Sequence, residues 1–190
     1  YLFTWPENQV TEQAYRVFNE LCRRRELGEP IAHILGQRDF WSLSLEVNPS
    51  TLIPRPDTEI LVEQALVIAH SFEQESDLKG LDLGTGTGAI ALALATELSH
   101  WRWCGVDFSH DAVALATRNG QRNHISNCRF QQSDWYQALG DETFDIIVSN
   151  PPYIDEQDPH LKLGDVRFEP RSALVAQEQG LADIRHILQH

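Results

Sequence analysis

Long apolar runs are missing from this chain of 190 residues: none approaches the roughly 18 residues that span a bilayer, so no membrane-spanning helix is expected. The opening stretch YLFTWPENQV lacks the basic start and apolar centre of a secretory signal, which makes the cytoplasm the expected compartment. Cysteine is scarce. Cys22, Cys104 and Cys128 are odd in number, far apart and never in a CxxC pair, which excludes a disulfide framework and a zinc site and leaves them as small buried hydrophobes. The eight histidines are dispersed, without HExxH or similar spacing, so no metal site is expected. Positive charge is short as well. With 15 basic against 28 acidic residues the net charge is −13, which repels a phosphate backbone unless the arginines gather on one face. The one cluster, Arg23, Arg24 and Arg25, falls near the end of a predicted helix, where cations oppose the negative end of the helix dipole. A protein substrate therefore fits the composition better than duplex DNA, and no direct sequence-specific nucleic-acid binding is expected.

What is present is ordinary globular composition, 42% hydrophobic and 23% charged, enough for one α/β domain with a small appendage. Over residues 11–27 the apolar Ala14, Val17, Phe18 and Leu21 recur at three- and four-residue steps, with Thr11 as N-cap and Gly28 to end the helix. Over residues 36–56 the period changes: Trp41, Leu43, Leu45 and Val47 alternate with polar residues, turn at Asn48-Pro49 and resume at Leu52 and Ile53, a predicted β-hairpin linker. Asp57 or Thr58 then caps a helix with Leu61, Val62, Ala65, Leu66 and Ala69 on one face. From there strand and helix alternate through KGLDLG, TGAIALALATEL, WRWCGVD, SHDAVALATRNGQRN (capped by Ser109), CRFQQ and FDIIVS. Such alternation predicts parallel strands in a doubly wound sheet with ligands at the carboxyl ends of its strands.

The first strand end is DLGTGTG, residues 82–88. Gly84, Gly86 and Gly88 let the backbone turn and approach a ligand, and the next helix points its positive N-terminus at the same place. The dinucleotide fingerprint GxGxxG does not match, because the third glycine comes one residue early. The second end offers Asp107 to ribose hydroxyls, or as a cap for the following helix. At the third, Asp134 suits an adenine amino group and Trp135 an apolar wall. No phosphate-binding lysine stands at these ends, which favours S-adenosyl-L-methionine over ATP.

The fourth end is SNPPYIDEQDP, a buried strand running into Asn150 and two prolines that cannot continue a sheet ladder. NPPY after a strand resembles the motif of amino-methyltransferases. An amide nitrogen is a poor nucleophile, and attack on a sulfonium methyl draws positive charge onto it. The Asn150 side-chain oxygen and the Pro151 carbonyl can accept its N–H groups as that charge develops, while the Tyr153 ring packs on the planar amide.

Taken with IPRPDTE at residues 53–59, DLGTGTGAIALALA and GDVRFEP, the chain resembles the HemK/PrmC family, which methylates the N5 of the glutamine in the Gly-Gly-Gln motif of peptide chain release factors. The resemblance runs over nearly all of the chain and implies a Rossmann-like class I methyltransferase fold with a mostly parallel sheet. It divides the chain into residues 1–35, a remnant of a helical substrate-recognition domain; 36–56, the hairpin linker; and 57–190, a cofactor-binding catalytic domain, incomplete because the sheet is truncated at the C-terminus. It further implies S-adenosyl-L-methionine bound by Asp82, Gly84, Thr85, Gly86, Gly88, Asp107, Asp134, Trp135 and Asn150. Asn150, Pro151, Pro152 and Tyr153 would hold the substrate, with Asn150, Pro151 and Tyr153 catalytic. An exocyclic-amine methyltransferase acting on adenine N6 or guanine N2 uses a similar Asn-Pro-Pro loop and is the alternative, although the net charge and IPRPDTE weigh against it. A non-catalytic remnant of the cofactor fold is the alternative of a different class.

Overall fold

A computed structural model describes residues 4, 5, 7–72 and 76–189. The chain opens with α1 (Glu12–Glu26), where the Thr11 hydroxyl accepts from the Ala14 amide at 3.2 Å as the N-terminal cap. Gly28 follows at φ 91°. The three arginines do sit in the last turn: Arg23 lies 3.9 Å from Glu20, Arg24 pairs with Glu29, and Arg25 pairs with Asp165 from far along the chain. The apolar stripe of α1 is not covered; Val17 and Phe18 are 49% and 63% exposed. A short α2 (Ile31–Leu35) leads into the hairpin.

The hairpin is tighter than the sequence pattern suggests. Strands β1 (Gln37–Phe40) and β2 (Leu43–Glu46) pair antiparallel with Phe40 opposite Leu43, so the chain reverses at Trp41-Ser42 and not at Asn48-Pro49. Trp41 accepts a left-handed φ of 55° because its surroundings hold it there: its amide donates to Glu59 at 2.8 Å and its indole to Glu97 at 2.7 Å. Asn48 instead closes a local turn by accepting from the Ser50 amide at 2.9 Å. A turn of 3₁₀ helix, Pro56–Thr58, precedes α3 (Glu59–Ala69). Neither expected cap forms. Thr58 already has helical angles, and no side chain caps α3. The apolar face is as expected, with Val62, Ala65 and Ala69 buried.

The remainder alternates β3 (Lys79–Leu83), α4 (Ala89–Glu97), β4 (Arg102–Asp107), α5 (His110–Arg122), β5 (Cys128–Gln132) and β6 (Ile146–Ser149), followed by 3₁₀ turns, α6 (Gln177–Gly180) and α7 (Ala182–Gln189). The four strands are parallel in the order β5-β4-β3-β6. The chain moves outward from β3 through β4 to β5, then returns to place β6 on the other side of β3. That reversal opens a crevice beside the carboxyl end of β3, the place where open α/β sheets bind ligands. One face of the sheet packs under α3 and α4 around Trp103, Ile146 and Val148. The other packs Leu81, Leu83, Cys104 and Val106 against Leu139, Tyr136 and Ile187 of α7. The first seven residues of α4 are all buried, which explains why it reads as uniformly apolar. The cysteines are free, and burial pushes the Cys104 thiol up to about 11.

Asn119 of α5 and Asn123, which caps the end of that helix, dock the hairpin. Asn119, fully buried, accepts from the Glu46 amide at 2.7 Å and donates to the Glu46 carbonyl at 3.0 Å and the Thr87 carbonyl at 2.9 Å. One helical turn on, Asn123 accepts from the Ser44 amide at 3.3 Å and donates to its carbonyl at 3.2 Å. The carboxamides thus imitate a neighbouring strand along the free edge of β2, matching the i, i+4 spacing of a helix to the i, i+2 spacing of a strand.

Candidate active site

The carboxyl ends of β3, β4 and β6 and the loop after β5 converge on a cavity of about 270 Å³. After β3, Gly84 and Gly86 line it with φ of 70° and 55°, angles that favour glycine. A side chain on Gly84 would point at the Trp135 ring 3.9 Å away, and one on Gly86 at Thr51, also at 3.9 Å. The loop is held from behind. Asp82 lies wholly buried, accepting from the Thr85 hydroxyl at 2.6 Å and the Ala91 amide at 3.3 Å, and burial pushes its carboxyl up to about 7. It is not among the residues that line the cavity and supports the loop that does. At Gly88 a Cβ would meet Phe130, Ala116 and Leu92 at 3.0 to 3.2 Å, so the glycine also serves the packing of α4 on its neighbours.

Asp107 lines the cavity, and each of its oxygens holds one backbone amide, Gly86 at 2.9 Å and Ser109 at 2.9 Å. The cap of α5 is the Ser109 hydroxyl, which accepts from the Ala112 amide at 3.3 Å, so Asp107 is not the helix cap. Burial raises the Asp107 carboxyl above its ordinary value, opposed by those two amides. A carboxylate oxygen has lone pairs for more than one donor, so both can still accept from a ligand. Asp134 and Trp135 line the next wall, Trp135 with φ 49° and its ring 6.2 Å from that of His186.

At the end of β6 the Ser149 hydroxyl donates to the Leu83 carbonyl at 2.8 Å, stitching the strand end to the glycine loop. Asn150 and Pro152 line the cavity; Pro151 and Tyr153 do not. The Asn150 amide nitrogen stands 3.5 Å from the Thr58 hydroxyl. Tyr153 is 61% exposed. Its carbonyl passes so close to Gly180 that any Cβ there would collide with it at 2.2 Å, and the next residue, Ile154, bridges to Val175.

Sequence reading missed the walls that the sheet does not supply. Ser50, Thr51, Leu52, Pro54 and Thr58 enter from the segment after the hairpin, and Ser172 and Ala173 from beyond the NPPY loop. One carboxylate joins these two walls. Glu169, its side chain fully buried, accepts from the Ile53 amide at 2.9 Å and from Arg55 at 2.6 Å. Burial raises its carboxyl, against the pull of the Ile53 amide and Arg55. The presence of IPRP and RFEP in one sequence was the available signal; their contact was not legible. Among the described residues no group of three His, Cys, Asp or Glu could hold a metal ion, and no helix is long and apolar enough to cross a membrane.

Residues 61–174 match the methyltransferase small domain family. The chain belongs to that family. Residues 1–36 match the PrmC N-terminal domain. Among the relatives of this methyltransferase small domain chain are release factor glutamine methyltransferases from Aliivibrio fischeri, 56% identical over 100% of the chain and 66% of that protein, and from Vibrio cholerae, 57% identical over 100% and 65%. The Escherichia coli protein of the same name is 55% identical over 100% of the chain and 67% of its own length. The chain spans about two thirds of the length of these relatives. The fold is shared with the hMettl16 catalytic domain at a TM-score of 0.59, with 17% identity over 84% of this chain and 59% of that one. It is shared also with the N-terminal domain of human METTL16 in complex with SAH at 0.51, with 19% identity over 90% and 74%.

Proposed function

We propose that this member of the methyltransferase small domain family binds S-adenosyl-L-methionine and methylates the N5 of the glutamine in the Gly-Gly-Gln motif of peptide chain release factors, in the cytoplasm. The observation that carries the reading is that Asn150 and Pro152 of the NPPY loop line the same cavity as Gly84, Gly86 and Asp107, so an acceptor for a substrate amide stands beside a nucleoside cradle. The relatives named release factor glutamine methyltransferase, aligned over the whole chain, supply the substrate class.

The residues present fit that cofactor. The glycine loop leaves Gly84 and Gly86 without side chains at the cavity, Asp107 keeps acceptor capacity for ribose hydroxyls, and Trp135 with Asp134 forms an apolar wall with a polar tip. Bound there, S-adenosyl-L-methionine supplies an electrophilic methyl group on a sulfonium. Asn150 and Pro152 follow directly on the end of β6, whose last residue Ser149 is tied to the Leu83 carbonyl, so the amide-binding group is anchored close to the sheet. The Asn150 oxygen and the Pro151 carbonyl accept from the substrate NH2, orient it, and bind more tightly as positive charge grows on nitrogen. The Asn150 NH2 can donate to the substrate carbonyl. No strong general base is required, because the proton leaves after transfer. Titration of the chain with S-adenosylhomocysteine in a calorimeter tests the cofactor half of this reading; absence of binding would remove it.

A further inference from the structure

Ser133 is the first residue past β5, and its amide donates to the Asp107 carbonyl at 3.0 Å, which extends the β4–β5 ladder by one residue. Its side chain is engaged by the loop that follows. The residue is only 4% exposed, and its hydroxyl donates to the Trp135 carbonyl at 2.7 Å and accepts from the Ala138 amide at 3.0 Å. Those roles are fixed, because a carbonyl only accepts and an amide only donates. A second pair of bonds closes the same turn: the Gln137 amide donates to the Asp134 carbonyl at 3.0 Å and the Gln137 side chain to the Asp134 carboxylate at 3.1 Å. Trp135 needs such a hold. Its φ of 49° is left-handed, a conformation that a bulky side chain keeps only where its surroundings over-determine it. In that conformation the residue lines the cavity, its ring 3.9 Å from where a side chain on Gly84 would begin and 6.2 Å from the ring of His186. One residue thus joins the strand end that carries Asp107 to the residue that walls the base.

We propose that Ser133 is a positioning residue for cofactor binding: its hydroxyl holds the Trp135 backbone in the conformation that sets the ring as the wall for the adenine base. This rests on the S-adenosylmethionine reading above. The test is a double-mutant cycle in this chain, with Ser133→Ala, Trp135→Ala and the pair each titrated with S-adenosylhomocysteine and with 5′-methylthioadenosine, which has the same nucleoside and no amino-acid tail. Ser133→Ala should weaken both ligands by the same factor, roughly 5- to 50-fold, because what is lost is the wall for the base they share. In the Trp135→Ala background the same substitution should cost less than about twofold, since the residue it acts through is gone; a hydroxyl that merely stabilised the loop would cost as much there as in the wild type. Ser133→Cys, of similar size but a weaker donor, should bind between the wild type and Ser133→Ala, and it carries the cycle if Ser133→Ala does not fold. Wild-type affinity in Ser133→Ala or in Trp135→Ala, a loss confined to S-adenosylhomocysteine, or an undiminished loss in the Trp135→Ala background would each overturn the proposal. A wild-type chain that binds neither ligand would instead overturn the cofactor reading on which it rests.

Discussion

On the proposed function Asp107 serves the cofactor and Asn150 the substrate, so their variants should fail differently. Asp107→Ala removes a carboxylate placed for two ribose hydroxyls and frees the Gly86 and Ser109 amides it now holds at 2.9 Å. Cofactor affinity should fall by about 2 to 4 kcal/mol, roughly 30- to 1000-fold by calorimetry, and unchanged affinity would remove Asp107 from the cofactor site. Asn150→Ala should leave that affinity within about twofold while turnover falls roughly 100- to 1000-fold, the usual effect of losing one group that stabilises developing charge. Asn150→Asp keeps an acceptor but loses the donor to the substrate carbonyl and adds charge, so it should impair glutamine methylation too. Asp82 supplies a prediction in pH. Its carboxyl titrates near 7 when folded, against about 3.9 in an open chain, so the folded state binds the proton more tightly. Its contribution to stability is complete below the lower value and is lost as pH rises through the upper one. Asp82→Asn stays neutral throughout, so its melting temperature should gain on the wild type from about pH 4 to about pH 7 and keep a constant lead above that. A gap that does not change with pH would mean that Asp82 is charged in the fold.

Elements show where sequence patterns held and where they did not. Strands β3 to β6 and helices α4 and α5 were legible because period and punctuation agreed, as with Ser109 before α5 and the glycines after β3. The hairpin turn was misplaced, since Asn48-Pro49 carries the stronger turn signal. The actual reversal at Trp41-Ser42 depends on Glu59 and Glu97, residues far along the chain. Distant partners were the general blind spot. Glu169 meets Ile53 and Arg55 across more than a hundred residues, and Gly180 shapes the path of Tyr153. Asn119 read as an ordinary helix residue, yet it is the clasp of the hairpin. Replacing it with Ala leaves the Glu46 amide and the Glu46 and Thr87 carbonyls without their partner, which should cost about 2 to 4 kcal/mol in urea unfolding. Because the chain beyond that hairpin carries Ser50, Thr51 and Leu52 into the cavity wall, the same variant should also weaken cofactor binding. A loss of less than about 0.5 kcal/mol would show that the hairpin is held by other contacts.

For the molecule as a whole, composition argued for a protein substrate before any site was visible, and the net charge of −13 bears on the nucleic-acid alternative directly. An enzyme that tracks phosphates loses affinity steeply with salt, whereas recognition of one glutamine in a protein loop should depend on salt only modestly. In the arginine cluster at the end of α1, Arg24 is paired to Glu29 and Arg25 to Asp165. A steep logarithmic salt slope with RNA or DNA, together with methyl incorporation, would favour an exocyclic-amine substrate instead. The central claim is that the NPPY loop presents a glutamine side chain to the cofactor, and mass spectrometry tests it most directly. A release factor carrying Gly-Gly-Gln is incubated with the protein and S-adenosylmethionine labelled at the methyl group, and its peptides are sequenced. One labelled methyl on the side-chain nitrogen of that glutamine, lost in Asn150→Ala, is the predicted result. Label absent from the glutamine while cofactor binding persists, or retained in full by Asn150→Ala, would contradict the account.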